Sequence, residues 1–174
     1  MVAAEDLVVP RGLHGRNWDV ALSGSPHLWE AYARGGRIDH SDGMTLEEAE
    51  HQLATRLYQN TAKVHFDQLL AGESRFGKRL VYGGHVISMA RALSFNGLGN
   101  AIRIMAINGG RHVAPTFAGD TLFAWSEVLD KQPLPERQDF GALRLRTLAG
   151  KNRRAEGFPD KGADGKPDPA VVLD

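Results

Sequence analysis

The sequence predicts an α+β domain: an antiparallel sheet wrapped around a central apolar helix at about residues 84–96. Three observations predict it. Residues 45–57 carry a helix start signal followed by apolar positions at helical spacing. Residues 84–96 form a second helical stretch that is apolar over most of its surface. Beyond residue 100 the chain reads as β-branched or alternating segments separated by turn residues. Helices followed by a run of strands is the α+β order.

Residues 1–30 read as a poorly ordered lead-in or linker, because Gly12, Gly15, Gly24, Ser25 and Pro26 break any period. The domain proper is expected over residues 31–174. "RIDH" from Arg37 reads as a short strand and "DGM" from Asp42 as a turn. Thr45 opens Thr-Leu-Glu-Glu, a capping box in which Thr45 caps the backbone and Glu48 reaches back. Leu46, Ala49, Leu53 and Leu57 then share one helical face, with Glu47, Glu50 and Gln52 on the other. A short helical turn is expected around residues 66–71. In the second helix Val86, Met89, Ala90 and Leu93 form one face, Ile87 and Ala92 broaden it, and Asn96-Gly97 stops it. A helix this apolar is expected to be buried. The strand candidates are "AIRIMAIN", "RHVAP", "DTLFAWSEVLDK", "GALRLRTLAG" with its alternating Leu and Arg, and "AVVLD". Residues 150–169, charged and rich in Gly and Pro, read as a long loop or linker.

Composition excludes several functions. A chain of 174 residues holds one domain with a real core. Lysine plus arginine balances the acids at 21 each, so the basic excess of a nucleic-acid binder is missing. No stretch approaches the roughly 18 apolar residues of a membrane span, and "MVAAEDLVVPRGLHG" is no secretory signal. Without cysteine there are no disulfides or thiolate sites, which fits a cytoplasmic protein. The histidines lack the spacing of metal ligands, so no metal is implied.

The chemistry concentrates in "LYQNTAKVHFDQLLAGESRFGKRLVYGGHVIS", residues 57–88. Singly its residues are unremarked: Asn60 suits a turn, a lone His65 suits a surface, and Gly83-Gly84 suits a helix start. Together they fit enolate chemistry. The first amides of a helix lack intrahelical partners and its dipole favours negative charge. Glycines there let a ligand approach the backbone closely. The Gly83 turn can therefore hold a thioester oxygen as it becomes an enolate. His65 and Asn60 can supply the proton chemistry opposite it, an imidazole being the side chain suited to acid–base work.

These residues resemble the MaoC-like hydratases of the hot-dog fold, which act on enoyl-CoA thioesters and whose signature runs Asp-x-Asn-Pro-hydrophobic-His-x-Asp. By that resemblance Asn60 stands at the catalytic Asp, His65 at the catalytic His, Asp67 at the following Asp, and Gly83 at the glycine whose amide holds the thioester oxygen. "VAPTFAGDTLFAWSEVL" is similar to the family's strand entry, and the likeness covers roughly residues 36–150. "TRLYQNTAKVHFDQ", "RLVYGGHVIS", "ARALSFNGL" and "GRHVAPTFAGDT" resemble one branch, the mesaconyl-CoA hydratases, which carry two hot-dog units on one chain. This chain resembles the second of them. Two departures stand out: Asn60 removes the family's carboxylate, and Ala62-Lys63 replaces its Asn-Pro. An amide orients water without taking its proton, which loads the acid–base role onto His65.

The resemblance implies a hydro-lyase that adds water reversibly to a branched dicarboxylic enoyl-CoA such as mesaconyl-CoA. No cofactor is implied, since the CoA thioester is the substrate. The catalytic set is Asn60, His65 and Gly83. Gly84 and His85 are substrate-binding candidates beside it. Arg111 is the candidate partner of the free carboxylate, and Lys78 and Arg79 of the CoA phosphates. A homodimer, or pairing with another hot-dog unit, is implied because such sites lie between units. Two alternatives remain open: a non-catalytic acyl-CoA-binding unit, which Asn60 favours, and an acyl-CoA thioesterase.

Overall fold

The computed structural model describes residues 1–174. Nine residues from Arg37 to Thr45 form β1. Here the sequence reading is corrected: "DGM" is strand, not turn. The pairing of β1 slips between Asp39 and Gly43 in a bulge, with Ser41 in the left-handed region (φ 50°). Two short helices, Val20–Ser23 (α1) and Gln68–Gly72 (α3), flank the principal helices Glu48–Leu57 (α2) and Gly83–Leu93 (α4). Phe95–Leu98 (α5) is a single turn in which Asn96 and Gly97 leave helical angles. Thr121–Pro133 (β2), Gly141–Lys151 (β3) and Val171–Leu173 (β4) complete an antiparallel sheet in the order β1-β2-β3-β4.

The core sits between α4 and the sheet. Val86, Met89, Ala90 and Leu93 of α4 pack with Leu46, Val81, Leu122, Ala124, Ala149, Val172 and Leu173. Strand alternation sends Trp125 to the opposite face. There it packs with Leu148, Ala155 and Val171, and its indole donates to the Pro159 carbonyl at 3.0 Å. The segment read as a loop or linker, residues 150–169, thus folds back as a lid over the outer face of the sheet.

The helix α4 ends at Leu93, three residues before the stop expected at Asn96-Gly97, which instead breaks the following turn α5. Gly97 has φ 95°, and a methyl group there would lie 2.5 Å from the Ile38 Cγ2. The turn is bound to β1 by a buried histidine: His40 Nδ1 donates to the Asn96 carbonyl (2.6 Å) while Nε2 accepts from the Ser126 hydroxyl (2.8 Å). The neutral ring satisfies both contacts, and burial lowers the His40 pKa.

Four readings need correction. The capping box belongs to Glu47 and Glu50, two residues later than read, because Thr45 is still in β1, its hydroxyl 2.8 Å from that of Thr121. The helix α2 is turned: His51, Gln52, Ala54 and Thr55 are buried, while Leu53 and Leu57 are 59% and 66% exposed. The second helix is not covered all round, since Ile87 is 44% exposed. Finally, "AIRIMAIN" forms no strand within this chain, and Ile102, Ile104 and Ile107 stand exposed. "RHVAP" contributes one bridge, His112 to Leu173.

Residues 1–30 hold only the short helix α1 and single 3-10 turns at Ala4–Asp6 and from Trp29. Trp29 nonetheless packs over Gly141 and donates to the Ala142 carbonyl at 3.3 Å, and Trp18 donates to Asn100 Oδ1 at 2.8 Å. No helix is long and apolar enough to cross a membrane.

Candidate active site

The N-terminus of α4 is built by two aromatic rings closing on two glycines. A methyl group on Gly83 would lie 2.5 Å from His112 Nε2, and one on Gly84 would lie 2.6 Å from the Tyr82 ring. Both positions therefore need glycine for close approach rather than for a left-handed backbone. The Gly83 and Gly84 N–H groups, first in the helix, donate to nothing in the protein. They stand at the positive end of the helix dipole, ready for an oxyanion.

His65 comes from the turn Lys63–His65 and sits edge-on to the Tyr82 ring, centroids 5.9 Å apart. Its Nδ1 lies 3.0 Å from the Leu80 carbonyl oxygen. A carbonyl only accepts, so Nδ1 carries the proton and Nε2 of the neutral ring keeps its lone pair. The backbone of His65 is held as well: Gln52 Nε2 donates to its carbonyl at 2.6 Å.

The inward stripe of α2 supports this loop. His51 is fully buried, with Nε2 3.1 Å from Gln52 Nε2 and 3.6 Å from Glu48 Oε1. Burial lowers the His51 pKa; Glu48 opposes that, while Arg79, His85 and His65 add to it. His51 Nδ1 and Gln52 Oε1 have no partner in the protein. His85 Nε2 approaches Glu50 Oε1 to 3.2 Å, off-line for a hydrogen bond. Four histidines (51, 65, 85 and 112) thus share the neighbourhood of one helix start. No group of His, Asp and Glu is placed to hold a metal ion.

The structure brings His65, Gly83, Gly84 and His85 together. Asn60 stands apart. Its Oδ1 accepts from the Ala62 N–H at 2.9 Å, an Asx turn, and its side chain lines a shallow hollow of about 440 Å³ with Thr55, Arg56, Gln59, Thr61 and Phe66. No hydrogen bond joins it to His65. Arg79 is ion-paired with Glu48 and donates to the Phe66 carbonyl, so it is committed within the fold. Lys78 is exposed, its ammonium 4.4 Å from the Phe117 ring centre. Arg111 lines a hollow of about 470 Å³ with Arg144, Arg146 and Asp174. Its guanidinium lies 3.9 Å from the Asp174 carboxylate, mostly exposed to solvent.

Sequence reasoning missed His51, Gln52, Tyr82 and His112. Glu48, His51, Gln52 and Thr55 make a polar stripe at three- and four-residue spacing, as regular as the leucine stripe. That stripe was the available signal.

Comparison with known proteins follows this geometry. Over 173 residues the chain is 58% identical to the β-methylmalyl-CoA dehydratase of Chloroflexus aurantiacus and 57% identical to the mesaconyl-CoA hydratase of Cereibacter sphaeroides. Each match covers 99% of this chain and 49% of the relative. The chain therefore spans about half the length of the curated relatives it matches. Among solved structures, a MaoC domain dehydratase from Chloroflexus aurantiacus superposes with a TM-score of 0.94 at 57% identity, over 99% of this chain and 49% of that one. A Mycobacterium tuberculosis protein described as a double hotdog fold matches with a TM-score of 0.59 at 29% identity, over 97% of this chain and 46% of that one. No family model matches. The resemblance read from the motifs thus holds along nearly the whole chain: this is a hot-dog unit similar to one half of the β-methylmalyl-CoA dehydratase and mesaconyl-CoA hydratase chains.

Proposed function

We propose that the chain is a unit of an enoyl-CoA hydro-lyase that adds water reversibly to a branched dicarboxylic thioester such as mesaconyl-CoA. The observation that carries this reading is the locked His65 ring, whose Nε2 is free as a base beside the unpartnered amides of Gly83 and Gly84. The 57–58% identity to relatives with those two names supports it.

In the hydration direction, His65 Nε2 takes a proton from water as the oxygen adds to the β-carbon. The double-bond electrons move toward the thioester, and the enolate oxygen rests on the Gly83 amide. General acid–base help is worth about 10²–10⁴ in rate, and one oxyanion donor about 10²–10³. CoA arrives with the substrate, so no separate cofactor enters the reaction, and the cytoplasm supplies such thioesters. Lys78 is free to meet a CoA phosphate.

A second hot-dog unit, either another copy or the remainder of a longer chain, would complete the assembly. The exposed isoleucines 102, 104 and 107, on backbone without a strand partner, suit such pairing. A second reading, a non-catalytic acyl-CoA-binding unit, is favoured by the Asx turn that occupies Asn60.

A spectrophotometric assay separates the two. It follows loss of enoyl-thioester absorbance with mesaconyl-CoA and crotonyl-CoA, for the wild type and His65→Ala. Turnover that collapses in the variant supports the hydro-lyase. Thioester binding with no absorbance change selects the binding unit.

A further inference from the structure

The proposed reaction lacks the carboxylate that position 60 would supply, and the structure offers a replacement that no motif marks. His112 lies on the residue bridged to β4, and its ring is pressed against Gly83. Neither ring nitrogen has a hydrogen-bond partner in the protein, and the residue is exposed at the mouth of the helix start. His65, edge-on to Tyr82, and His112, against Gly83, therefore stand at the same helix start, each with a ring nitrogen available.

We propose that His112 is a second catalytic residue, sharing one proton with His65 across the Gly83 turn. The inference rests on the hydro-lyase reading. Like charges on neighbouring imidazoles disfavour double protonation, and partial burial, with His65 adding to it, lowers the His112 pKa. The pair then cycles between two forms. With His65 neutral and His112 protonated, His65 Nε2 removes one proton from water, and the oxygen–β-carbon bond forms. The π-electron pair becomes the enolate, and the α-carbon takes the His112 proton as the enolate collapses. One water is added, leaving His65 protonated and His112 neutral. That form is the one ready for dehydration: His112 removes the α-proton and His65 protonates the departing hydroxyl. Transfer of the proton from His65 back to His112 through solvent resets hydration. The groups facing His112 are His65 from its turn and Gly83 at the start of α4.

Kinetics and NMR test this on the full chain. His112→Asn should lower kcat for mesaconyl-CoA by ~10²–10⁴ with little change in KM, and added free imidazole should restore part of the rate. His112→Gln is the second variant should the first not fold. A kcat within twofold of wild type in a folded variant overturns the proposal. Titration by NMR is independent of turnover: His65→Gln should raise the His112 pKa, because the neighbouring imidazolium is gone. An unmoved His112 titration overturns the shared proton whatever the kinetics show. Should wild type not turn over while the His112 titration moves as stated, the paired imidazoles stand and the hydro-lyase reading fails.

Discussion

The two principal helices obey opposite rules. In α4 the apolar stripe Val86, Met89, Ala90 and Leu93 faces the sheet, as its spacing says. In α2 the comparable stripe is turned to solvent: Leu53 and Leu57 are mostly exposed, and His51, Gln52 and Thr55 lie inside. Periodicity tells that a helix is two-faced; it does not tell which face the fold takes in. In α2 the inner face is chosen by hydrogen bonds. Gln52 holds the His65 backbone, and the Thr55 hydroxyl donates to the His51 carbonyl at 2.8 Å. One helix supplies the core, and the other is spent on the site.

That contrast can be broken in order of expected effect. Leu93→Ala, in the core, should destabilise by ~2–5 kcal/mol, read as a large drop in the urea midpoint. Leu57→Ser, on the exposed stripe, should stay within about 0.5 kcal/mol. A loss at Leu57 as large as at Leu93 would mean that the outer stripe is buried in solution. His65→Ala should lower the hydratase rate by ~10²–10⁴ with its thermal midpoint nearly unmoved. Gln52→Leu should act between these: it removes a donor to a half-buried carbonyl, a cost of ~1–3 kcal/mol, and it loosens His65.

The smallest effect is a pH slope. The pKa values of His40 and His51 are lowered by burial. Below their unfolded value of about 6.5 the unfolded chain binds more protons than the folded one. Stability is therefore full above that pH and falls as pH drops through it. His40→Asn should flatten the slope below about pH 6.5, measured by denaturant midpoints. An unchanged slope would remove His40 from the account.

Much of this was legible in the sequence. The α+β order, the central helix and the long strands from Thr121 and Gly141 all rest on local signals. What escaped is non-local. Glu47 displaced Thr45 as cap because β1 runs on through Thr45, held by Thr121 across the sheet. "AIRIMAIN" has strand composition yet no partner in this chain, and composition cannot provide one. His112 reaches the site only because the strand end next to β4 delivers it there. Asn60 reads as catalytic by its motif position, and its side-chain oxygen also accepts from the Ala62 N–H in a turn that the motif does not announce. Arg111 reads as a substrate partner, and in the fold it lines a hollow with Arg144, Arg146 and Asp174.

The central claim is that water is added to a carbon–carbon double bond while the thioester stays intact. Mass spectrometry of mesaconyl-CoA incubated with the protein tests it most directly. The account predicts a CoA thioester heavier by one water, formed by the wild type and not by His65→Ala. Free CoA with the released acid, or an unaltered thioester in the presence of bound protein, would contradict it.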